Sequence, residues 1–322
     1  MVIDCHVHIS ACTPGHGSMS KRLNNSIPFR FMRWKFGLAG NDDRTEHALE
    51  HKLVETVRQT PELDAVALLA FDAVYQRDGR FDHDNTHLYV TNDYVIELAA
   101  RHPQILFAAS VHPYRKDAVA EIERCVKHGA VLMKWLPIVQ GFDPSDPICI
   151  PFYEALAHFE LPLLSHTGSE QCLPNLMPEL ADPMLLKPAL DRGLTVIMAH
   201  CGTRATPWAT DFVPAFMRLA RDHENCYGDT SALNVPARWY AYDQILNDKA
   251  VCQKLVHGSD WPVMVLPPPR QLGFGDALQL TFNEPNWIRR DVLIKKKLGF
   301  DDAYWNRAGQ ILRLTDRVAS GQ

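Results

Sequence analysis

The chain has 322 residues and a mass of 36.5 kDa, enough for two average domains or one α/β barrel. Hydrophobic residues make up 46% and charged residues 22%, which excludes a disordered chain, a collagen-like repeat and a disulfide-stapled miniprotein. The formal charge is −5 and the pI about 6.3, and no basic run interleaves with aromatics, so no nucleic-acid partner is expected.

The opening Met1-Val2-Ile3-Asp4-Cys5-His6 lacks the basic start and apolar core of a signal peptide. The longest apolar stretches, such as Ala65 to Phe71, fall far short of the roughly 20 residues that span a bilayer, so no membrane partner is expected. The eight cysteines are scattered without a CxxC pair and read as buried thiols in a reducing compartment; the expected location is cytoplasmic.

Eight short apolar runs rich in β-branched residues follow one another: Val2–His8, Ala65–Asp72, Ile105–Pro113, Ala130–Pro137, Pro162–Gly168, Thr195–Gly202, Cys226–Leu233 and Leu255–Pro262. From the fourth to the eighth their starts are 32, 33, 31 and 29 residues apart. Segments with helical spacing lie between them, among them Pro151–Phe159, Asp211–Asp222 and Ala237–Leu246. Parallel strands need such crossovers, and eight units predict a closed (β/α)8 TIM barrel forming one domain over 1–322. The competing open sheet would carry G-x-G-x-x-G after its first strand, where Val7-His8-Ile9-Ser10 stands instead. Two segments break the rhythm. Ser10 to Thr60 is a long insertion, its first part read as a loop from Pro14, Gly15, Gly17, Pro28, Gly37 and Gly40, its second, Arg44–Arg58, as a helix. Loops that long are usually lids or binding loops. After the eighth strand, Pro267-Pro268-Pro269 is a stop, and Trp287–Leu298 and Asp301–Leu314 read as closing helices.

Polar residues of metal-ligand type stand at the ends of these strands. His6 and His8 are two apart on the first strand, so they share a face with Cα atoms about 6.5 Å apart. His166, His200 and Asp260 close the fifth, sixth and eighth strands, each just before a Gly or Pro turn. On a barrel these ends converge on one mouth. Neutral imidazoles with one carboxylate suit a divalent ion; one zinc is expected, with manganese, iron or cobalt as alternatives.

This set, with Met133-Lys134-Trp135-Leu136-Pro137 and Leu164-Ser165-His166-Thr167-Gly168, resembles the amidohydrolase superfamily. More closely it resembles the amidohydrolase-related group that includes aminocarboxymuconate-semialdehyde decarboxylase and pyrone-dicarboxylate lactonase. The likeness runs from Ile3 to the Asn306–Leu312 helix. The resemblance implies His6, His8, His166 and Asp260 as ligands of one metal, with His200 beside the activated water and Asp260 also moving its proton. It implies a hydrolase of an amide, lactone or ester bond in a small organic substrate, with a decarboxylase of a small carboxylic acid as the alternative. Asp260-Trp261-Pro262 leans towards hydrolysis, because Asp-Tyr-Pro is familiar among the decarboxylases. An inert metal-binding module is the third reading, which intact His200 and Asp260 oppose. A homodimer is a family-level expectation.

Lys134, on the fourth strand, is read as a bridging ligand if carbamylated, or as a substrate-binding or ion-paired ammonium. Relatives often have Lys-x-His-Pro there; this chain has Lys134-Trp135-Leu136-Pro137. Trp135 is a wall of the pocket or a core residue. Arg204 is a bidentate fork for a substrate carboxylate or a surface arginine near a loop, and Glu170 is a further candidate substrate contact. Asp229 contributes to the mouth or caps the turn after strand seven. His112 and His257 read as structural, Trp261 as packing, and Cys5 and Cys201 as pointing away from the site. Arg22, Arg30, Arg33 and Lys35 form a cationic lid or a solvated face.

Overall fold

The computed structural model describes residues 1–38 and 43–314. Eight strands form one sheet in chain order: β1 Ile3–His8, β2 Ala65–Leu69, β3 Ile105–Ala109, β4 Leu132–Trp135, β5 Leu163–His166, β6 Val196–Ala199, β7 Cys226–Asp229 and β8 Leu255–Val256. Each neighbouring pair is parallel. The first and last strands meet as well: Cys5 N donates to His257 O at 3.0 Å, His8 N to Trp261 O at 2.8 Å and Asp260 N to His6 O at 2.8 Å. The result is the (β/α)8 barrel that the strand–helix rhythm predicts.

Every residue of β2, β4, β5 and β6 is buried, as expected for parallel strands covered on both faces. Alternation sends Met133, Trp135, Leu163, Val196 and Met198 towards the helices, where they share a core with Leu98, Ile122, Leu156 and Phe216. Leu132, Leu164, Ile197 and Val256 belong to a second, smaller apolar cluster. Leu132 shares a face with Lys134 and Leu164 with His166, so this cluster is the floor on which the polar residues stand.

The insertion is more ordered than its composition suggests. Gly17–Met19 pairs antiparallel with Leu88–Val90, and Lys21–Asn24, Ile27–Phe36 and Asp43–Arg58 are helices. Pro28 and Gly37, read as loop residues, are the start and stop signals of Ile27–Phe36. Pro28 sits in the first helical turn, where its missing N–H is no loss, and Gly37 ends the helix at φ 68°. Gly40 lies outside the described residues. Arg22, Arg30 and Lys35 face solvent, which is the solvated reading of the basic cluster; Arg33 bonds Asn24.

The closing helices are Trp287–Lys297, capped by Asn286, and Asp302–Ile311, capped by Asp301. A helix at Phe274–Asn283 precedes them, unforeseen after the proline run. Among the described residues no helix is long and apolar enough to cross a membrane.

Candidate metal centre

The strand ends deliver their polar side chains to one mouth. Two of them do so through left-handed backbone that non-glycine residues rarely adopt: φ is 58° at His200 and 66° at Asp260. Gly168, at φ 80°, follows β5 so closely that a Cβ there would lie 2.2 Å from Thr203 O. Only glycine lets the two mouth loops pass.

His6 Nε2 lies 3.0 Å from His8 Nε2 and 3.2 Å from Asp260 Oδ1, and His8 Nε2 lies 3.4 Å from the same oxygen. The tautomer of His6 follows from its other nitrogen. Nδ1 faces the Asp229 Oδ2 carboxylate at 2.7 Å, which can only accept, so the proton is on Nδ1 and Nε2 carries a lone pair that can accept or ligate. Three donor atoms about 3.0–3.4 Å apart match the edges of a tetrahedron with roughly 2.0–2.1 Å bonds, the geometry of a zinc site. A carboxylate under the far nitrogen of a histidine is the usual support of such a ligand. The donor set therefore fits a divalent ion.

Electrostatics agree. Burial, then the Lys134 ammonium, holds His6 well below the usual imidazole range, so it is neutral. Burial alone would raise Asp260, but His6, His8 and Lys134 hold it below the usual carboxylate range. Burial, then Arg238, lowers His200. His200 Nδ1 donates to Ser231 O at 3.0 Å, with Ser231 Oγ 2.8 Å away, so its Nε2 is an acceptor.

Lys134 Nζ donates to His6 Nε2 at 3.1 Å, and burial pulls its pKa down to about 8. Among the described residues no carboxylate lies within 4.0 Å of it, so the structural ion pair considered above is not formed. His166 turns Nε2 to Gly168 O at 3.2 Å and packs edge-on to His200 with ring centroids 4.9 Å apart. It borders the cluster without joining its converging atoms.

A cavity of about 300 Å³ opens over the cluster, lined by His8, His166, His200, Asp260 and Glu170 among others. Burial pushes Glu170 above the usual carboxylate range, and its Oε1 accepts from the Cys172 and Leu173 amides. Two sequence readings with open alternatives are decided. Trp135 does not wall the cavity. As the residue after Lys134 it points to the opposite face, where its Nε1 donates to Val111 O at 2.7 Å amid Phe142, Phe152 and Tyr153. Arg204 offers no fork to the cavity, because its guanidinium lies over the Tyr240 ring, 4.8 Å from the centroid. His112 and His257 are buried and do not line the cavity, although His257 Nε2 has no partner among the described residues. Cys5 and Cys201 are buried, and Cys201 Sγ turns to Asp229 O. Trp261 stacks on Phe36.

Sequence reasoning underrated Asp229 and missed Arg238. Asp229 is not a mere turn cap: it also accepts from His200 N at 2.8 Å and Ser231 N at 3.0 Å, tying two site residues to one carboxylate. Its signal was the polar run Asp229-Thr230-Ser231 at a strand end. Arg238 lines the cavity from a short helical turn at Pro236–Arg238, and nothing in its neighbours in sequence marks it.

A family model described as Amidohydrolase matches residues 3–293. No curated protein matches the chain. Among solved structures, the chain is similar to an uncharacterized TIM-barrel protein from Bordetella bronchiseptica, with 16% identity, a TM-score of 0.60, and 92% of this chain and 99% of that one covered. It is also similar to a probable 2-pyrone-4,6-dicarboxylic acid hydrolase from Acinetobacter baumannii, with 14% identity, a TM-score of 0.55 and coverage of 100% and 99%. A third is the 5-carboxyvanillate decarboxylase LigW from Sphingomonas paucimobilis, with 14% identity, a TM-score of 0.54 and coverage of 97% and 98%. At these identities the likeness is one of fold.

Proposed function

The chain belongs to the amidohydrolase family, and from that premise we propose that it is a metal-dependent hydrolase of an amide, lactone or ester bond in a small organic substrate. The observation that carries the reading is the convergence of His6, His8 and Asp260 beneath a cavity that also presents an acceptor nitrogen of His200. His6, His8 and Asp260 would hold one divalent ion, zinc by preference, and His166 is the neighbouring residue that would complete a four-donor set. When bound, the ion supplies Lewis-acid polarisation of a carbonyl and brings the pKa of water towards neutrality.

The chain's own groups handle the protons. Asp260, ionised at neutral pH, accepts a proton from the attacking water and returns it to the leaving group. His200, pinned through Nδ1 on Ser231, presents a lone pair at Nε2 and orients the water by accepting its hydrogen bond. A neutral His200 that polarised a carbonyl would need an N–H on the cavity side, and the Ser231 bonds put that proton on the other nitrogen. Lys134 adds positive charge beside His6 and Asp260.

Decarboxylation on the same site is the second reading. The apolar wall of the cavity favours it, since such a wall strips water from a carboxylate. The test is a panel of amides, lactones and esters against a panel of unsaturated carboxylic acids. Acid production without carbon dioxide supports hydrolysis; carbon dioxide release without hydrolysis replaces it.

A further inference from the structure

Arg238 takes no part in the donor cluster or in the proton steps above, yet it lines the same cavity and is only 6% exposed. One guanidinium nitrogen donates to Thr203 Oγ1 at 3.0 Å and the other to Ser169 O at 2.8 Å. Among the described residues these are its acceptors, so three of its five N–H groups have no protein partner. No carboxylate lies within 4.0 Å of it among those residues. Glu170, on the same cavity, is turned to the Cys172 and Leu173 amides instead. Arg290 shows what a structural buried arginine does here: each of its three nitrogens donates to a carbonyl, of Glu284, Val265 and Thr281 at 2.7–2.9 Å, away from the cavity. A buried cation left unpaired is costly, and the cost is recovered when an anion arrives.

The rest of the cavity limits that anion. Arg238 is its only lysine or arginine among the described residues, and the walls are apolar: Phe29, Met32, Phe71, Leu136, Val263 and Trp287. A second negative group on the ligand, placed away from the metal centre, would face these walls or the carboxylate of Glu170. We infer that Arg238 is an anion-recognition residue and that the substrate is a hydrophobic monoanion, an apolar body of about ring size bearing one carboxylate set apart from the reacting group. The inference rests on the cavity being the active site proposed above.

Calorimetric titration with three probes tests it: 3-phenylpropanoate, its neutral amide, and benzene-1,3-dicarboxylate. The titrations are run on metal-stripped and zinc-loaded protein, with metal content measured separately, so that failure of the metal reading and failure of this one are told apart. In both forms the carboxylate is expected to bind about 10- to 100-fold more tightly than the amide, as a charge-assisted fork requires. In Arg238→Gln that preference falls below about threefold while the amide affinity is unchanged. Arg238→Lys, which keeps charge without the fork, retains an intermediate preference, and it serves if the glutamine variant fails to fold. Equal binding of carboxylate and amide, a preference that survives Arg238→Gln, tighter binding of the dicarboxylate, or no binding of any probe would each overturn the inference.

Discussion

Replacing Asp229 by asparagine tests whether the buried carboxylate sets the metal-binding tautomer of His6. Oδ1 accepts from the amides of His200 and Ser231 at 2.8 and 3.0 Å, while Oδ2 faces His6 Nδ1 at 2.7 Å. An asparagine keeps its carbonyl oxygen on the two amides, so its NH2 meets the Nδ1–H of His6. Two donors cannot share that contact. His6 must move its proton to Nε2, the atom that faces His8 and Asp260, and an N–H there cannot ligate. Loss of such a supporting carboxylate costs about 10- to 100-fold in metal affinity, or roughly 1.4–2.7 kcal/mol. Apo protein is titrated with zinc against a chromophoric chelator, and a thermal melt checks that the variant is folded. Ser231→Ala measures the hydroxyl's own share, because it removes an Oγ that lies 2.8 Å from His200 Nδ1 and 3.0 Å from His6 Nδ1 but leaves the His6–Asp229 bond. Zinc affinity within twofold of wild type in a folded Asp229→Asn protein would refute the reasoning.

Three further outcomes are expected. His200→Asn keeps the metal but slows turnover about a hundredfold or more, measured on any substrate the panel identifies; an unchanged rate removes His200 from the mechanism. Gly258→Ala would place a Cβ 2.9 Å from His6 Cβ and 3.2 Å from Ser231 Cβ. It should destabilise the fold by about 1–3 kcal/mol in denaturant melts and lower metal occupancy, whereas a neutral effect would mean the site is loosely packed. Burial holds His112 down to about 3 against an ordinary 6.5, so the unfolded chain binds one more proton between those values. The stability tied to His112 is complete above about pH 6.5 and is lost as pH falls towards 3, by up to about 5 kcal/mol. Denaturant melts across that range should therefore lose one proton's worth of slope in His112→Gln, and an unaltered slope would contradict its burial as a neutral ring.

The barrel was legible because strands such as β2 and β6 are buried on both faces and so read as unbroken apolar runs. His6, His8, His166, His200 and Asp260 were legible for a related reason: a polar residue ending such a run has no place but the mouth. Elements that depend on context were harder. Pro28 and Gly37 break chains in loops but bound a helix when spaced nine residues apart around an amphipathic stretch, as here. Trp135 stayed open between pocket wall and core; strand alternation, which puts it on the face opposite Lys134, decides for the core. Arg204 follows His200 closely in sequence, yet its guanidinium finds the Tyr240 ring instead. Arg238 reaches Thr203 and Ser169 across 35 and 69 residues, contacts that only the folded chain creates.

The central claim, that His6, His8 and Asp260 form a metal centre, is tested most directly by metal content per chain. The measurement is elemental analysis of wild-type, His6→Ala and Asp260→Ala proteins, each purified without chelator, then incubated with zinc and desalted. The account predicts about one ion per wild-type chain and a loss of stoichiometric metal in both variants. A wild-type chain that retains none, or variants that keep the full complement while folded, would contradict it.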